Sequence, residues 1–225
     1  MRKYGIEIFD NHVILLMDNK RVLLDTGAPE SISDGSSLQL MGREYRFSSN
    51  FLGFSIEKLK ELLGTDINIL LGADVLKNLN FLVDWDKKEA HFSLTPIPCD
   101  GIHLPLDFYM NIPIIVLNVN GERLKVFLDT GAKLSYFSEE ILSQHKPVGR
   151  AQDFYPGLGQ FTTDIYEITV TINNHSIVVQ AGRLPDLLQK TLAITNSEGI
   201  LGNDIFKYFN VCFNYSERKI ILVKR

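Results

Sequence analysis

The chain has 225 residues, of which 45% are hydrophobic and 22% are charged, a composition typical of globular proteins. Its length suffices for one large domain or for two domains of about 100 residues each. The formal net charge is −4 and no basic tract occurs, which argues against nucleic acid as a partner.

The N-terminal segment and the two cysteines indicate the cellular compartment in which we expect the protein. Residues 1–20 begin basic and become apolar, but Glu7 and Asp10 interrupt the run, so it does not resemble a signal-peptide core. No apolar run reaches the roughly 18 residues of a membrane-spanning helix, and we expect no membrane contact. Cys99 and Cys212 do not make a disulfide framework, so we expect free thiols in a reducing, cytoplasmic compartment.

The first half begins with two apolar runs that meet at the turn Asp18-Asn19-Lys20, which predicts a hairpin ending in "LLDTGA" at Asp25. Next, "FSIEKLKELLG" over 54–64 predicts a short helix that stops at its glycine. The apolar run "ILLG", 69–72, then precedes a short amphipathic helix and a hairpin that turns at 86–88.

The second half repeats these parts in the same order. Two apolar runs meet at Asn120-Gly121, a strong hairpin signal, and the second run ends in "FLDTGA" at Asp129. "GILG", 199–202, again precedes a short helix, and a final hairpin turns at 216–218. The shared order of parts indicates an internal repeat.

The two copies differ in length. Asp25 and Asp74 are 49 positions apart, whereas Asp129 and Asp204 are 75 apart, so the second half holds 26 extra residues. They fall around "TDIYEITVTINNHSIVVQAGRLP", whose alternation predicts a hairpin. Two prolines and a glycine over 95–101 mark the boundary, so we expect an N-terminal lobe over 1–96 and a C-terminal lobe over 97–225.

Each Asp-Thr-Gly-Ala motif places a carboxylate at the end of an apolar strand. The glycine permits a tight turn, and the threonine hydroxyl can bond the backbone of a neighbouring copy. Two such loops related by a twofold axis would bring two carboxylates together. Because two adjacent carboxylates cannot both ionise cheaply, one would keep a proton, and the pair could activate a water molecule.

The repeated "LDTGA" with the paired "LLGAD" and "ILGND" resembles the aspartic peptidases of the retroviral–pepsin clan. Asp-Thr-Gly-Ala is the retropepsin form of the signature, and this chain carries both copies, whereas retropepsins carry one per chain and dimerise. The resemblance spans nearly the whole chain. It implies an all-β fold of two retropepsin-like closed-barrel lobes related by a pseudo-twofold axis, with a few short helices.

The resemblance also implies roles for the loop residues. Asp25 and Asp129 would be the catalytic pair of a monomeric endopeptidase that uses neither metal nor cofactor. The loops that support the pair would comprise Thr26, Gly27, Ala28, Thr130, Gly131 and Ala132.

Pepsin-like enzymes carry a hydroxyl residue where this chain has Ala28 and Ala132. Without that hydrogen bond each anion is less stabilised, so we expect an activity optimum in the mildly acidic to neutral range.

The resemblance implies a mobile hairpin, the flap, over the substrate. Residues 149–164 are the candidate in the second half, and a reduced counterpart is expected around Gly53. An ordinary exposed loop remains the alternative. The flap residues expected to meet the substrate are Tyr155, Gly157, Leu158, Gly159 and Phe161.

The expected partner is a peptide or protein substrate bound as an extended strand. Two alternatives stay open: a catalytically silent peptide-binding module, and a structural domain. Asp74 and Asp204 are expected to cap helix N-termini. The histidines show no metal-binding spacing, and we expect them at surface or strand positions.

Overall fold

The computed structural model describes residues 1–51, 53–155 and 158–225. Strands dominate, and their bounds are β1 Arg2–Phe9, β2 His12–Met17, β3 Lys20–Leu24, β4 Ile32–Ser33, β5 Leu38–Leu40, β6 Arg43–Tyr45, β7 Asn50–Phe51, β8 Phe54–Ser55, β9 Ile69–Leu71, β10 Asn80–Asp84, β11 Glu89–Ser93, β12 Ile102–Pro105, β13 Asp107–Tyr109, β14 Ile112–Val119, β15 Glu122–Leu128, β16 Ser135–Phe137, β17 Gly149–Tyr155, β18 Gly159–Ile172, β19 His175–Arg183, β20 Gly199–Leu201, β21 Phe209–Asn214 and β22 Lys219–Lys224.

The helices are short. The α-helices are α1 Ile56–Leu63, α2 Ala73–Leu76, α3 Glu139–Leu142 and α4 Asp186–Ala193, and 3₁₀ helices span Asn203–Lys207 and Tyr215–Glu217. The structure therefore confirms the sequence prediction of a mostly β chain with two sheet-rich lobes.

The first sheet contains strands from both halves of the chain. Its order is β12-β22-β21-β10-β11-β1-β2-β3-β9-β4. The join is the antiparallel pair β10–β21, in which Phe81 lies opposite Phe213. The rings of these two residues stack with centroids 4.4 Å apart, so aromatic packing reinforces the contact between the halves.

The second sheet belongs to the second half alone. Its order is β13-β14-β15-β20-β16-β19-β18-β17, and β14 also pairs with β18. That extra pairing closes β14, β15, β20, β16, β19 and β18 into a ring. In the described part of the first half, the corresponding strands form an open sheet with β4 at its edge.

The local signals for turns and for the first helix are confirmed. Asp18 and Asn19 both have positive φ (49° and 60°), as do Asn120 and Gly121 (51° and 86°), which suits tight two-residue hairpin turns. The helix α1 ends at Gly64, whose φ of 71° is the left-handed conformation expected at a helix C-terminus.

The insertion in the second half is a long hairpin. β18 and β19 pair from Tyr166 opposite Ala181 to Ile172 opposite His175, with the turn at Asn173 and Asn174. Helix α4 follows it and was not predicted. It precedes β20 as α1 precedes β9, and it buries Leu188 and Leu192.

Candidate active site

The two DTGA loops leave their strands in the same way. The N–H of Asp25 donates to the carbonyl of Leu71 at 3.0 Å, and the N–H of Asp129 donates to the carbonyl of Leu201 at 3.0 Å. These bonds extend the parallel pairs β3–β9 and β15–β20 by one residue. Each aspartate therefore sits at the end of a buried strand that a second strand holds in register.

The two threonines join the loops reciprocally. Thr130 Oγ1 accepts the Thr26 N–H at 2.9 Å, and Thr26 Oγ1 accepts the Thr130 N–H at 3.0 Å. Each hydroxyl also donates across the interface, from Thr26 to the carbonyl of Leu128 (2.7 Å) and from Thr130 to that of Leu24 (2.9 Å). Both side chains are buried, with 0% and 1% exposure. Four hydrogen bonds therefore lock one loop against the other in the interior.

The glycine of each loop lies against the aspartate of the other. A Cβ on Gly27 would overlap the carboxyl group of Asp129, and a Cβ on Gly131 would overlap that of Asp25. The close approach of the loops depends on the missing side chains. The structure thus brings the two carboxyl groups, 104 positions apart in sequence, side by side.

The backbone of each loop holds its own carboxylate. Asp25 Oδ1 accepts the N–H groups of Gly27 (3.0 Å) and Ala28 (2.8 Å), and Asp129 Oδ1 accepts that of Gly131 at 2.8 Å. Burial raises the pKa of both aspartates, most strongly that of Asp25, where the neighbouring Asp129 charge adds to the effect. The N–H groups oppose the rise without cancelling it, so the pair retains a proton into a higher pH range than free carboxyl groups would.

Asp74 and Asp204 do not cap helices, contrary to the sequence expectation. The N-caps are Gly72 and Gly202. Asp74 instead accepts the N–H and hydroxyl of Ser31, at 2.9 and 2.6 Å. Asp204 accepts the Asn11 amide at 3.0 Å and the Gln180 N–H at 2.8 Å. Both carboxylates serve long-range contacts, which a local capping signal could not reveal.

A cavity of about 470 Å³ opens above the two aspartates. Its walls are mostly apolar and come from corresponding positions of the repeat. Leu23 and Phe127 each precede an aspartate by two positions, and Leu70 and Ile200 belong to the "LLG" and "ILG" elements. The twofold repeat therefore shapes the cavity as well as the carboxylate pair.

The hairpin expected as a flap lies at this cavity. β17 and β18 pair from Gly149 opposite Ile165 to Tyr155 opposite Gly159. Tyr155 and Phe161 line the cavity, whereas Leu158 is 41% exposed at the tip and is not part of the wall. Gly159 has a φ of 79°, which favours glycine. Gly157 lies outside the described residues.

The reduced hairpin expected in the first half is the short pair β7–β8, next to Gly53, whose φ is 80°. Phe54 of this hairpin stacks on Phe154 of β17, with ring centroids 6.2 Å apart and planes 15° apart. The two hairpins thus meet across the cavity.

Sequence reasoning missed much of the cavity wall, including three side chains that carry polar groups. Tyr136, Asp153 and His12 all line it, although His12 was expected at a surface or strand position without a role. His12 is in β2, but it is only 4% exposed. A comparison of the repeats could have found Tyr136. It lies seven positions after Asp129, just as Ile32 lies seven positions after Asp25, so the two residues occupy equivalent positions of the repeat.

Within residues 1–51, 53–155 and 158–225, no group of three His, Cys, Asp or Glu side chains could hold a metal ion. No helix in those ranges is long and apolar enough to span a membrane. Cys99 and Cys212 carry free thiols.

No protein-family model matches the chain, and neither does any curated protein. Among solved structures, it is similar to the simian foamy virus (mac) protease, with 18% identity and a TM-score of 0.30 over 40% of this chain and 86% of that one. The protease of EIAV, complexed with the inhibitor HBY-793, has 20% identity and a TM-score of 0.33 over 43% and 86%.

A foamy viral protease–reverse transcriptase in complex with an RNA/DNA hybrid is also similar, with 19% identity and a TM-score of 0.32 over 49% of this chain and 12% of that one. Each likeness covers less than half of this chain, so function has to be inferred from the chain's own residues.

Proposed function

We propose that this chain is an aspartic endopeptidase that assembles its whole catalytic pair, Asp25 and Asp129, within one polypeptide. The observation that carries the proposal is the reciprocal packing of the two DTGA loops, with each loop's glycine against the other loop's carboxyl group. The hydrogen bonds between the threonines make this arrangement rigid. Rigid carboxyl groups below an apolar cavity suit general acid–base chemistry on a bound peptide.

The reaction needs one proton shared by the pair. The ionised carboxylate takes a proton from a water molecule, whose oxygen attacks the carbonyl carbon of the peptide bond. The protonated partner donates its proton to the carbonyl oxygen, so a neutral tetrahedral diol forms. The carboxyl group that took the water proton then passes it to the amide nitrogen, while the other carboxylate takes a proton from a hydroxyl of the diol. The carbon–nitrogen bond breaks to give a carboxylic acid and an amine, and the pair again holds one proton.

The raised pKa values of the two aspartates support activity in mildly acidic to neutral solution, since the pair keeps its shared proton there. The hairpin 149–164 serves as the main flap in this proposal, with Tyr155 and Phe161 against the substrate. The proposal also includes a monomeric state, with an N-terminal lobe over 1–96 and a C-terminal lobe over 97–225.

The experiment is digestion of a proteome-derived peptide library between about pH 3 and 8, analysed by mass spectrometry. Asp25→Asn and Asp129→Asn should each reduce cleavage by about 10³-fold, because either change removes one partner of the proton exchange. Asp100→Asn is the matched control, since Asp100 is exposed and outside the cavity. Circular dichroism and thermal unfolding would establish that all variants are folded.

A peptide whose scissile bond is replaced by a hydroxyl-bearing tetrahedral group should inhibit the wild type. If the folded wild type cleaves no peptide over this pH range, the endopeptidase proposal fails. Measurable affinity for the same peptides would then favour a peptide-binding module.

A further inference from the structure

The second-half wall of the cavity carries a polar group that the proposed chemistry does not use. The hydroxyl of Tyr136, in β16, donates to the carboxylate of Asp153, in β17. Burial and the Asp153 charge raise the pKa of Tyr136, so the phenol stays protonated and remains a donor. Asp153 also accepts the Phe154 N–H at 2.8 Å. These two bonds hold the carboxylate in place on the wall.

Asp153 has no cationic partner within the described ranges. None of the ion pairs found there includes it. Lys133, from the same half, pairs with Asp10 at 2.8 Å. A carboxylate has room for about four hydrogen bonds, and among the residues that the structure describes only two donors to Asp153 are found. The carboxylate therefore retains capacity to bind a donor in the cavity.

His12 lies near Asp153 on the cavity wall but does not balance its charge. It is 4% exposed and lines the cavity, and its Nδ1 has no hydrogen-bond partner in the described part of the chain. Burial lowers its pKa, so the ring stays neutral near pH 7 and does not neutralise Asp153.

At the corresponding position the first-half wall is apolar, although the exposed Glu30 also lines the cavity. Ile32 occupies the position that Tyr136 holds in the second half, and Phe51 and Leu59 lie nearby on the cavity wall. The two sides of the cavity therefore present different chemistry despite the repeat. A substrate with a cationic side chain on one side and an apolar side chain on the other would match both walls.

We propose that Asp153 is a specificity-determining residue that binds a lysine or arginine side chain of the substrate on the second-half side of the cleft. This inference rests on the proposed endopeptidase function. The cation would donate hydrogen bonds to the Asp153 carboxylate, with the neutral His12 ring nearby on the cavity wall. Burial in a largely apolar cavity strengthens such a charge pair relative to one in water.

The test uses octapeptides of otherwise apolar sequence in which lysine, Nε-acetyl-lysine or norleucine occupies each position in turn. Wild-type kcat/KM should be at least tenfold higher for lysine than for acetyl-lysine at one position beside the cleaved bond. Acetylation keeps the side-chain stem and removes the charge, so this comparison needs no variant.

The variant for this test is Asp153→Asn, which keeps an acceptor for Tyr136 and removes the charge. The ratio of kcat/KM for lysine over norleucine should fall about tenfold in this variant. Glu167→Gln removes an exposed carboxylate from the part of β18 that pairs with β19 and should keep the wild-type ratio. Asp153→Lys should reverse the preference in favour of glutamate.

Binding separates this inference from the proposed function. The same peptides, fluorescently labelled, are titrated with Asp25→Asn protein, and Kd is measured by anisotropy. Cleavage without a lysine preference at any position would overturn the role of Asp153 and leave the endopeptidase intact. Absence of cleavage, together with a lysine preference in binding that Asp153→Asn removes, would overturn the catalytic proposal and support the binding site.

Discussion

At the scale of single residues, the threonine hydroxyls carry the contact between the two DTGA loops. Each hydroxyl accepts a hydrogen bond from a backbone N–H of the other loop. It also donates a hydrogen bond to the carbonyl of the leucine that precedes the other loop's aspartate. The cost of losing such a group is large, because two buried backbone groups lose their partner together.

Thr26→Val should therefore lower the free energy of unfolding by about 2–4 kcal/mol, since the Thr130 N–H and the Leu128 carbonyl would be left unsatisfied. Urea unfolding followed by circular dichroism measures the change. Thr26→Ser keeps the hydroxyl and is the matched control. Equal stability of the valine and serine variants would show that these bonds do not hold the loops.

The pH dependence of stability follows from the raised pKa of Asp25. Between the unfolded pKa of about 4 and the higher folded value, the folded state binds more protons, so stability falls as pH rises. Asp25→Asn removes this contribution and should gain stability relative to wild type as pH rises from about 4 towards neutrality. Urea midpoints across that range measure it, with Asp100→Asn expected to follow wild type. Parallel curves for wild type and Asp25→Asn would contradict the pKa direction.

At the scale of elements, the two unequal hairpins meet through one aromatic pair. The short pair β7–β8 contributes Phe54, and the longer hairpin of β17 and β18 contributes Phe154. Such pairs contribute about 0.5–1.5 kcal/mol beyond the area that they bury. This contact links the position of the long hairpin to the first half.

Phe54→Ala should release that hairpin and increase amide hydrogen exchange over 149–164 by several-fold. The loss of a contact worth about 1 kcal/mol shifts the equilibrium between closed and open hairpin several-fold towards the open form. Exchange measured by mass spectrometry tests it. Phe47→Ala, which removes a ring stacked on Tyr45 in the same half, is the control. Unchanged protection over 149–164 in Phe54→Ala would mean that the hairpin is held by other contacts.

At the scale of the whole molecule, the first sheet makes the two halves depend on each other. β10 has β11 on one side and β21 from the other half on its other side. Trp85, the chain's single tryptophan, stacks on Phe206 of the second half, with ring centroids 5.3 Å apart. Separation would expose an apolar strand edge as well as this ring.

The fragment 1–96 alone should therefore lack cooperative unfolding, and its Trp85 emission should lie near that of an exposed indole. Mixing it with 97–225 should shift the emission to shorter wavelength as the shared sheet forms. A 97–225 fragment with Phe206→Leu is the control and should give a smaller shift. A first-half fragment that unfolds cooperatively by itself would show that it is an independent domain.

Much of the local structure could be predicted from the sequence. The turns at Asp18-Asn19 and Asn120-Gly121 and the end of α1 at Gly64 rest on residues that adopt positive φ readily. Helix α4 was missed because its segment follows a long hairpin insertion that obscured the repeat. Asp74 and Asp204 were misassigned because their partners, Ser31 and Gln180, are distant in sequence.

By itself, the sequence determined that the chain is a mostly β repeat with an aspartate at the end of one strand in each half, because apolar alternation, turn residues and a repeated motif are local properties. Beyond the two aspartate loops, the tertiary structure alone decided which side chains meet. It closed a ring of strands in the second half, and it placed His12 on the cavity wall with Tyr136 and Asp153. Those contacts depend on how the two lobes pack, and no stretch of sequence contains that information.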